Sequence, residues 1–269
     1  MTGGGSAPSQ RSKPVAVSSY IMAATPRSGS TLLCDLLSGT GIAGQPESYY
    51  RREDVLDYAR EWGVSSPEVI GDEAFERTYL EAVRRAGAAQ TGVFGLRLMW
   101  SSVTELSARL SVIHPGPLDD AARFELAFGN PLYIHLSRQD KVAQAVSLLK
   151  AKQSGLWHRA ADGTERERLA PPAPLVYDAD RLAGLVEELE TDDAAWSGWF
   201  SRFGIEPLRL TYEGLAAAPQ AALAQVLSAL ALDARVGASA DIRTAKLADA
   251  TSLKWACRFR GASRGRQNP

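Results

Sequence analysis

Cysteine and histidine are scarce. The chain of 269 residues has two cysteines, Cys34 and Cys257, and three histidines, His114, His135 and His158. The cysteines lie far apart and in no metal-ligand spacing, which excludes a disulfide scaffold and fits a reducing cytoplasm. Three scattered histidines give no basis for a His/Cys zinc site, and no metal is expected. No apolar run reaches the roughly 18–20 residues that span a bilayer, so no integral membrane protein is expected. Met1 to Ser19 has two basic residues and no apolar core ahead of a cleavage site, unlike a secretory signal. Neither charge sign dominates: 30 basic against 31 acidic residues leave −1, which argues against a basic nucleic-acid binder. What remains is 45% hydrophobic and 23% charged, the profile of a soluble globular protein.

Met1 to Val17 carries Gly-Gly-Gly, Ser, Pro and Gln without apolar periodicity, so 1–18 is expected to be a disordered arm ahead of one folded domain, 19–269. The segments 20–24, 92–100, 131–137 and 207–211 read as core strands. Helices are expected at 31–37, 54–62, 73–86, 102–110, 140–153, 178–203 and 220–231. Leu156 to Pro174 holds Gly163 and three prolines and reads as a long loop or lid. Strands alternating with helices imply an α/β fold with a central parallel sheet flanked by helices.

The first turn carries the chemistry. Thr25-Pro26-Arg27-Ser28-Gly29-Ser30-Thr31 joins a strand to a helix. A helix start offers free N–H groups and a positive dipole end to an anion. Gly29 permits close approach, Ser28, Ser30 and Thr31 add hydroxyls, and Arg27 adds a charge that grips two oxygens. The triphosphate motif G-x-x-x-x-G-K-[ST] fails twice, with Ala24 at its first Gly and Ser30 at its Lys.

The string Pro26 to Leu33 resembles the phosphosulfate loop of sulfotransferases, and more of the chain resembles the bacterial trehalose 2-sulfotransferase family. Thr40-Gly41-Ile42-Ala43-Gly44-Gln45-Pro46 is similar to the segment after that loop, and Gly95-Leu96-Arg97-Leu98-Met99-Trp100 to the family's Gly-x-Lys-Leu-Met-Trp strand. His135 to Ser147 is similar to its next strand-to-helix segment, and Trp157, Thr211 to Leu215 and Lys254 to Arg260 have counterparts. The resemblance implies a three-layer fold related to nucleotide kinases and 3′-phosphoadenosine 5′-phosphosulfate as sulfuryl donor, with the bisphosphate as product and no metal. It further implies a carbohydrate or glycolipid hydroxyl as acceptor, trehalose-like sugars included, and a homodimer.

Carried over residue by residue, the resemblance places the 5′-phosphosulfate on Arg27, Ser28, Gly29, Ser30 and Thr31, and the 3′-phosphate on Arg138 and Ser147. Arg27 also supports the leaving oxygen. The family's base is a glutamate four residues after the Gly of Ala-Gly-x-Pro. Counting from Gly44, Ser48 stands there and Glu47 precedes it. Glu47 is the expected base, although neighbours in an extended segment point to opposite faces. Ser48 is expected to position the acceptor, and His158 is a distant second choice as base. His135 reads as a core strand residue, His114 and His158 as exposed loop residues. Arg97 is either a second cation at the site or the partner of a buried carboxylate. Tyr49, Trp100 and Trp157 are candidate acceptor contacts, the tryptophans alternatively core. Arg243 to Arg266 holds seven basic residues and one acid, a solvated tail, a cover for the donor or a patch that attracts an anionic lipid surface. The alternatives to a sulfotransferase are a small-molecule kinase of related fold, which lacks its lysine here, and a non-catalytic nucleotide- or sugar-binding descendant.

Overall fold

The computed structural model describes residues 18–69, 71–160, 162–239 and 249–266. The expected arm, apart from Ser18, and part of the basic C-terminal stretch lie outside them. The chain opens with β1 (Ser19–Ala24) and α1 (Ser30–Gly39), then α2 (Val55–Glu61), α3 (Glu73–Ala88) and β2 (Phe94–Met99). Next come α4 (Val103–Ile113), α5 (Asp120–Phe128), β3 (Leu132–Ser137) and α6 (Lys141–Ser154). A hairpin, β4 (Leu156–Arg159) and β5 (Glu165–Arg168), precedes α7 (Ala179–Phe203), β6 (Leu208–Thr211), α8 (Tyr212–Ala217), α9 (Pro219–Ala229) and α10 (Ala250–Arg266).

β1 is buried at every position, as its unbroken apolar run requires of a central parallel strand. The sheet order is β2-β1-β3-β6, with each neighbouring pair parallel. Alternation along β1 divides the core. Ile21 and Ala23 face a layer that includes Tyr79, Leu106, Phe124 and Trp196, from α3, α4, α5 and α7. Tyr20 and Met22 face Leu33 and Leu37 of α1 and Leu223 and Leu227 of α9. A third cluster joins α6, α7 and Trp255 of α10. The chain leaves β1 for β2 on one side and later places β3 on the other. The turn after β1 therefore sits at the carboxyl edge where the strand order reverses, the usual ligand position in open α/β sheets.

Two expectations change here. The segment 156–174 is not a plain loop, because β4 and β5 pair antiparallel within it. Their strands, Leu-Trp-His-Arg and Glu-Arg-Glu-Arg, are too short and polar to show apolar alternation. α5, α8 and α10 are additional helices. α8 has six residues and α5 nine, lengths at which periodicity carries little signal.

Candidate active site

The turn between β1 and α1 is built in a strained conformation. Arg27 adopts φ 64, the left-handed region that non-glycine residues rarely enter. Gly29 follows at φ 89, and a Cβ there would lie 2.8 Å from Cδ2 of Tyr212. Neighbours hold the turn in place. Gln144, fully buried on α6, donates from Nε2 to Thr25 Oγ1 (2.9 Å) and to the Pro26 carbonyl (2.7 Å). Trp196 Nε1 donates to the Ala24 carbonyl (3.1 Å). Among the described residues no side chain caps α1, so the N–H groups of its first turn are open to another partner.

Two arginines meet here, with Glu167 near Arg27 and Asp140 and Glu213 near Arg138 but none of the three in a salt bridge with them among the described residues. Arg27 donates from Nε to Ser147 Oγ (3.0 Å) and from Nη1 to the Trp157 carbonyl (2.7 Å). Arg138, just after β3, donates from Nη1 to the Arg27 carbonyl (3.2 Å) and lies 4.2 Å above the Tyr212 ring. Burial and the neighbouring Arg138 push the Arg27 guanidinium down to about 10, and burial lowers Arg138 as well. Ser28 Oγ and Arg138 Nε are buried and unpartnered among the described residues. Two desolvated cations, an orphan hydroxyl and an uncapped helix start are the donor set of an anion site, and a phosphate-bearing ligand fits them.

The opposite wall forms around Arg97, on β2. Its side chain is 14% exposed. Nε donates to Ser48 Oγ (2.8 Å), Nη1 to Thr31 Oγ1 (2.9 Å) and Nη2 to Glu47 Oε2 (3.1 Å). Glu47 and Ser48 thus reach the same guanidinium, although the extended alternation expected them on opposite faces. Glu47 lies in a single parallel bridge to Leu96, where strand geometry constrains it only briefly. Gly44 sets up this segment: at φ 71, a Cβ there would stand 2.2 Å from the Val93 carbonyl oxygen. Arg97 pairs with a carboxylate, but that carboxylate, Glu47, is 40% exposed rather than buried.

The hairpin covers the turn. His158 contacts Thr31 Oγ1 through Nε2 (2.8 Å) and Glu167 Oε2 through Nδ1 (2.5 Å). Arg166 donates to Asp35 Oδ2 of α1 (2.5 Å), and Arg51 stands 3.7 Å from Glu167. His158 is therefore not an exposed loop residue; its side chain is 19% exposed. His114 is likewise half-buried, at the end of α4, and His135 is buried on β3, as expected.

The remaining expected contacts divide. Ser147 Oγ meets Arg27, not Arg138. Trp157 flanks the turn through its carbonyl, and its ring packs on the third core cluster. Trp100 stands edge-on to Trp196. Tyr49 is a correction. It is 3% exposed, its hydroxyl donates to the Gln45 carbonyl (2.6 Å), and its ring packs on Tyr58 and Trp62. Its ring belongs to the core, not to a wall of the site. Glu167 and Gln144 went unread: Glu165 to Arg168 looks like a solvated charge run, and Gln144 like an ordinary helix residue. In the basic stretch, Arg260 donates to Asp140 (2.6 Å) and Arg258 covers the Tyr177 ring, so both are docked side chains.

Among the described residues no cluster of three or more His, Cys, Asp or Glu side chains has a metal-holding arrangement, and no helix is long and apolar enough to cross a membrane.

Comparison with known proteins gives a consistent result. The family model described as Stf0 sulphotransferase matches residues 19–262. A trehalose 2-sulfotransferase of Mycobacterium tuberculosis (strain ATCC 35801 / TMC 107 / Erdman) is 31% identical over 263 residues, 91% of this chain and 95% of that protein. A trehalose 2-sulfotransferase of Mycolicibacterium smegmatis (strain ATCC 700084 / mc(2)155) is 28% identical over 258 residues, 90% and 94%. Among solved structures, the sulfotransferase domain from the Synechococcus PCC 7002 olefin synthase aligns over 92% of this chain and 90% of that one, at 17% identity and TM-score 0.44.

Proposed function

The chain belongs to the Stf0 sulphotransferase family and is a sulfotransferase; from that premise we propose that it moves a sulfuryl group from 3′-phosphoadenosine 5′-phosphosulfate to a carbohydrate hydroxyl, with trehalose or a related glycolipid as acceptor. One observation carries the donor assignment. Half-buried Arg27 and Arg138, unpartnered Ser28 Oγ and the uncapped start of α1 converge on one turn, with Ser30 where a triphosphate site needs lysine. The names of the two mycobacterial relatives support the acceptor class.

When bound, the donor supplies an activated sulfuryl group and a leaving phosphate. Arg27, Ser28, Gly29, Ser30 and Thr31 would hold its 5′ end, and Arg138 with Ser147 its 3′-phosphate. Arg27 would support charge on the leaving oxygen, a contribution of about 3–4 kcal/mol at comparable sites. Ser48 and Glu47, both on Arg97, would orient the acceptor, flanked by Trp157 and Trp100. Arg97 Nη2 already donates to Glu47 Oε2 at 3.1 Å, so Glu47 is assigned to orientation rather than to proton removal. No metal takes part in this scheme. A cytoplasmic homodimer is also proposed: Cys34 and Cys257 are both free thiols, which suits a reducing compartment, and the dimer rests on the family resemblance.

A thermal-shift titration with adenosine 3′,5′-bisphosphate, AMP and Mg·ATP tests the donor site. A ligand of the folded state adds RT ln(1 + [L]/Kd), about 2.7 kcal/mol at a hundredfold excess over Kd. The bisphosphate should give the largest shift. Arg138→Gln should weaken bisphosphate binding roughly 10–100-fold, as loss of a charge-assisted bond does, and leave AMP nearly unchanged. Equal losses, or a larger shift with Mg·ATP, would refute the donor assignment. Transfer of labelled sulfuryl to trehalose tests the acceptor.

A further inference from the structure

We propose that His158, held by Glu167, takes the proton from the acceptor hydroxyl. The inference rests on the sulfotransferase reading above and adds the base that reading leaves open. Arg97 already donates to both Glu47 and Ser48, and a serine hydroxyl takes up no proton at neutral pH.

The hydrogen bonds around His158 settle its tautomer. Glu167 faces Nδ1 at 2.5 Å. The hydrogen bond from His158 holds the Glu167 carboxyl below its ordinary value, so at neutral pH it is a carboxylate that only accepts. Nδ1 therefore carries the ring proton, and in the neutral imidazole Nε2 keeps its lone pair. Nε2 faces Thr31 Oγ1 at 2.8 Å. That oxygen already accepts from Arg97 Nη1, which leaves its own hydrogen free for Nε2. Every donor in the chain Arg97–Thr31–His158–Glu167 then meets an acceptor, and His158 already receives a hydrogen bond from a hydroxyl. Nε2 also lies 3.5 Å from Arg27 Nη1, at the edge of the turn assigned to the donor.

The supporting frame is double. His158 and Glu167 are cross-strand partners on β4 and β5. Arg166, beside Glu167, fastens the hairpin to Asp35 of α1. The charged groups facing the pair are Arg27 from the turn, Arg97 from β2, reached through Thr31, and Arg51, 3.7 Å from the far oxygen of Glu167. In the step proposed, the acceptor oxygen bonds to sulfur while its proton passes to Nε2. The bond from sulfur to the bridging oxygen breaks, and its electron pair stays on the leaving phosphate. The imidazolium then releases its proton to solvent. Nothing is oxidised or reduced. Glu167 acts through His158 and is a positioning residue.

The test uses the intact protein. Wild type and His158→Asn are compared in sulfuryl transfer to trehalose across pH 5–9, with adenosine 3′,5′-bisphosphate affinity measured in parallel. Loss of a general base predicts a fall in kcat of roughly 10²–10⁴-fold at bisphosphate affinity within about threefold of wild type. Glu167→Gln removes the carboxylate that holds Nδ1–H, so kcat should fall while the KM for trehalose and the bisphosphate affinity stay near wild type, and Glu167→Asp should restore part of kcat. A His158→Asn enzyme with kcat near wild type, or one whose bisphosphate affinity falls in step with kcat, overturns the assignment. So does an acid limb that survives His158→Asn and disappears with Glu47→Gln. A readout apart from turnover is the nitrogen-15 spectrum of the wild-type His158 ring. Protonated Nδ1 with unprotonated Nε2 at neutral pH supports the proposal, and the opposite tautomer overturns it. Absence of wild-type transfer to trehalose counts against the acceptor proposed above, and the tautomer still decides this inference.

Discussion

Gly29→Ala should destabilise the protein by about 2–5 kcal/mol, in two parts that can be measured separately. The first is conformational. Gly29 sits at φ 89, and an L-residue held in left-handed backbone costs about 1–2 kcal/mol. The second is steric. The added Cβ would lie 2.8 Å from Tyr212 Cδ2, with Leu215 Cδ2 at 3.5 Å behind it. Tyr212 has little room to yield, because the Arg138 guanidinium covers its ring at 4.2 Å. Overpacking of this kind costs about 1–3 kcal/mol. Tyr212→Ala removes the clashing ring atom and leaves φ at position 29 untouched. In a double-mutant cycle the pair should therefore couple by about 1–3 kcal/mol, the steric part, while the conformational part persists in the double variant. Urea unfolding of the four proteins measures this, and the midpoint should move at constant slope. A loss below about 1 kcal/mol for Gly29→Ala, or no coupling with Tyr212→Ala, would mean that the turn is not held as tightly as its geometry indicates.

Other substitutions probe the walls of the site. Arg97→Lys keeps the charge but offers one nitrogen where three donors now reach Ser48, Thr31 and Glu47; transfer should fall roughly 10–100-fold with the unfolding midpoint little changed, and unaltered transfer would show that the fork is dispensable. Arg166→Ala strands the Asp35 carboxylate, which is 8% exposed. Because Arg166 itself is 39% exposed, the loss should be about 1–2 kcal/mol, with amide exchange accelerating across residues 156–168; unchanged exchange there would show that the clamp does not hold the hairpin. Asp193 is pulled two ways, since burial raises its carboxyl while contacts with His135 and Lys141 lower it further, so the folded value lies below the ordinary one. Its stabilising contribution is then complete above about pH 4–5 and fades as pH falls through the folded value. The stability gap between wild type and Asp193→Asn, followed by denaturant titration from pH 2 to 7, should stay level above that range and narrow below it; a gap that widens on acidification would contradict the shift.

The sequence by itself determined the sheet and the anion turn. Apolar runs such as Ser19–Ala24 have one solution, burial in a parallel sheet, because only there are both faces of a strand covered. The Pro26 to Leu33 string carried the Ser/Gly-rich turn because its chemistry is local: hydroxyls, a glycine and a helix start within eight residues. Tertiary structure alone decided the wall around Arg97. Arg97 collects Thr31, Glu47 and Ser48 from three separate segments, with Glu47 and Ser48 reaching it together at the end of a single bridge. Tyr49, read as a contact, went to the core because Tyr58 and Trp62 fold over it. His158 and Glu167 look like surface charges in sequence. They become a pair when a polar hairpin closes on α1, and the register that aligns them depends on long-range contacts such as Arg166 to Asp35 rather than on any periodicity in the strands.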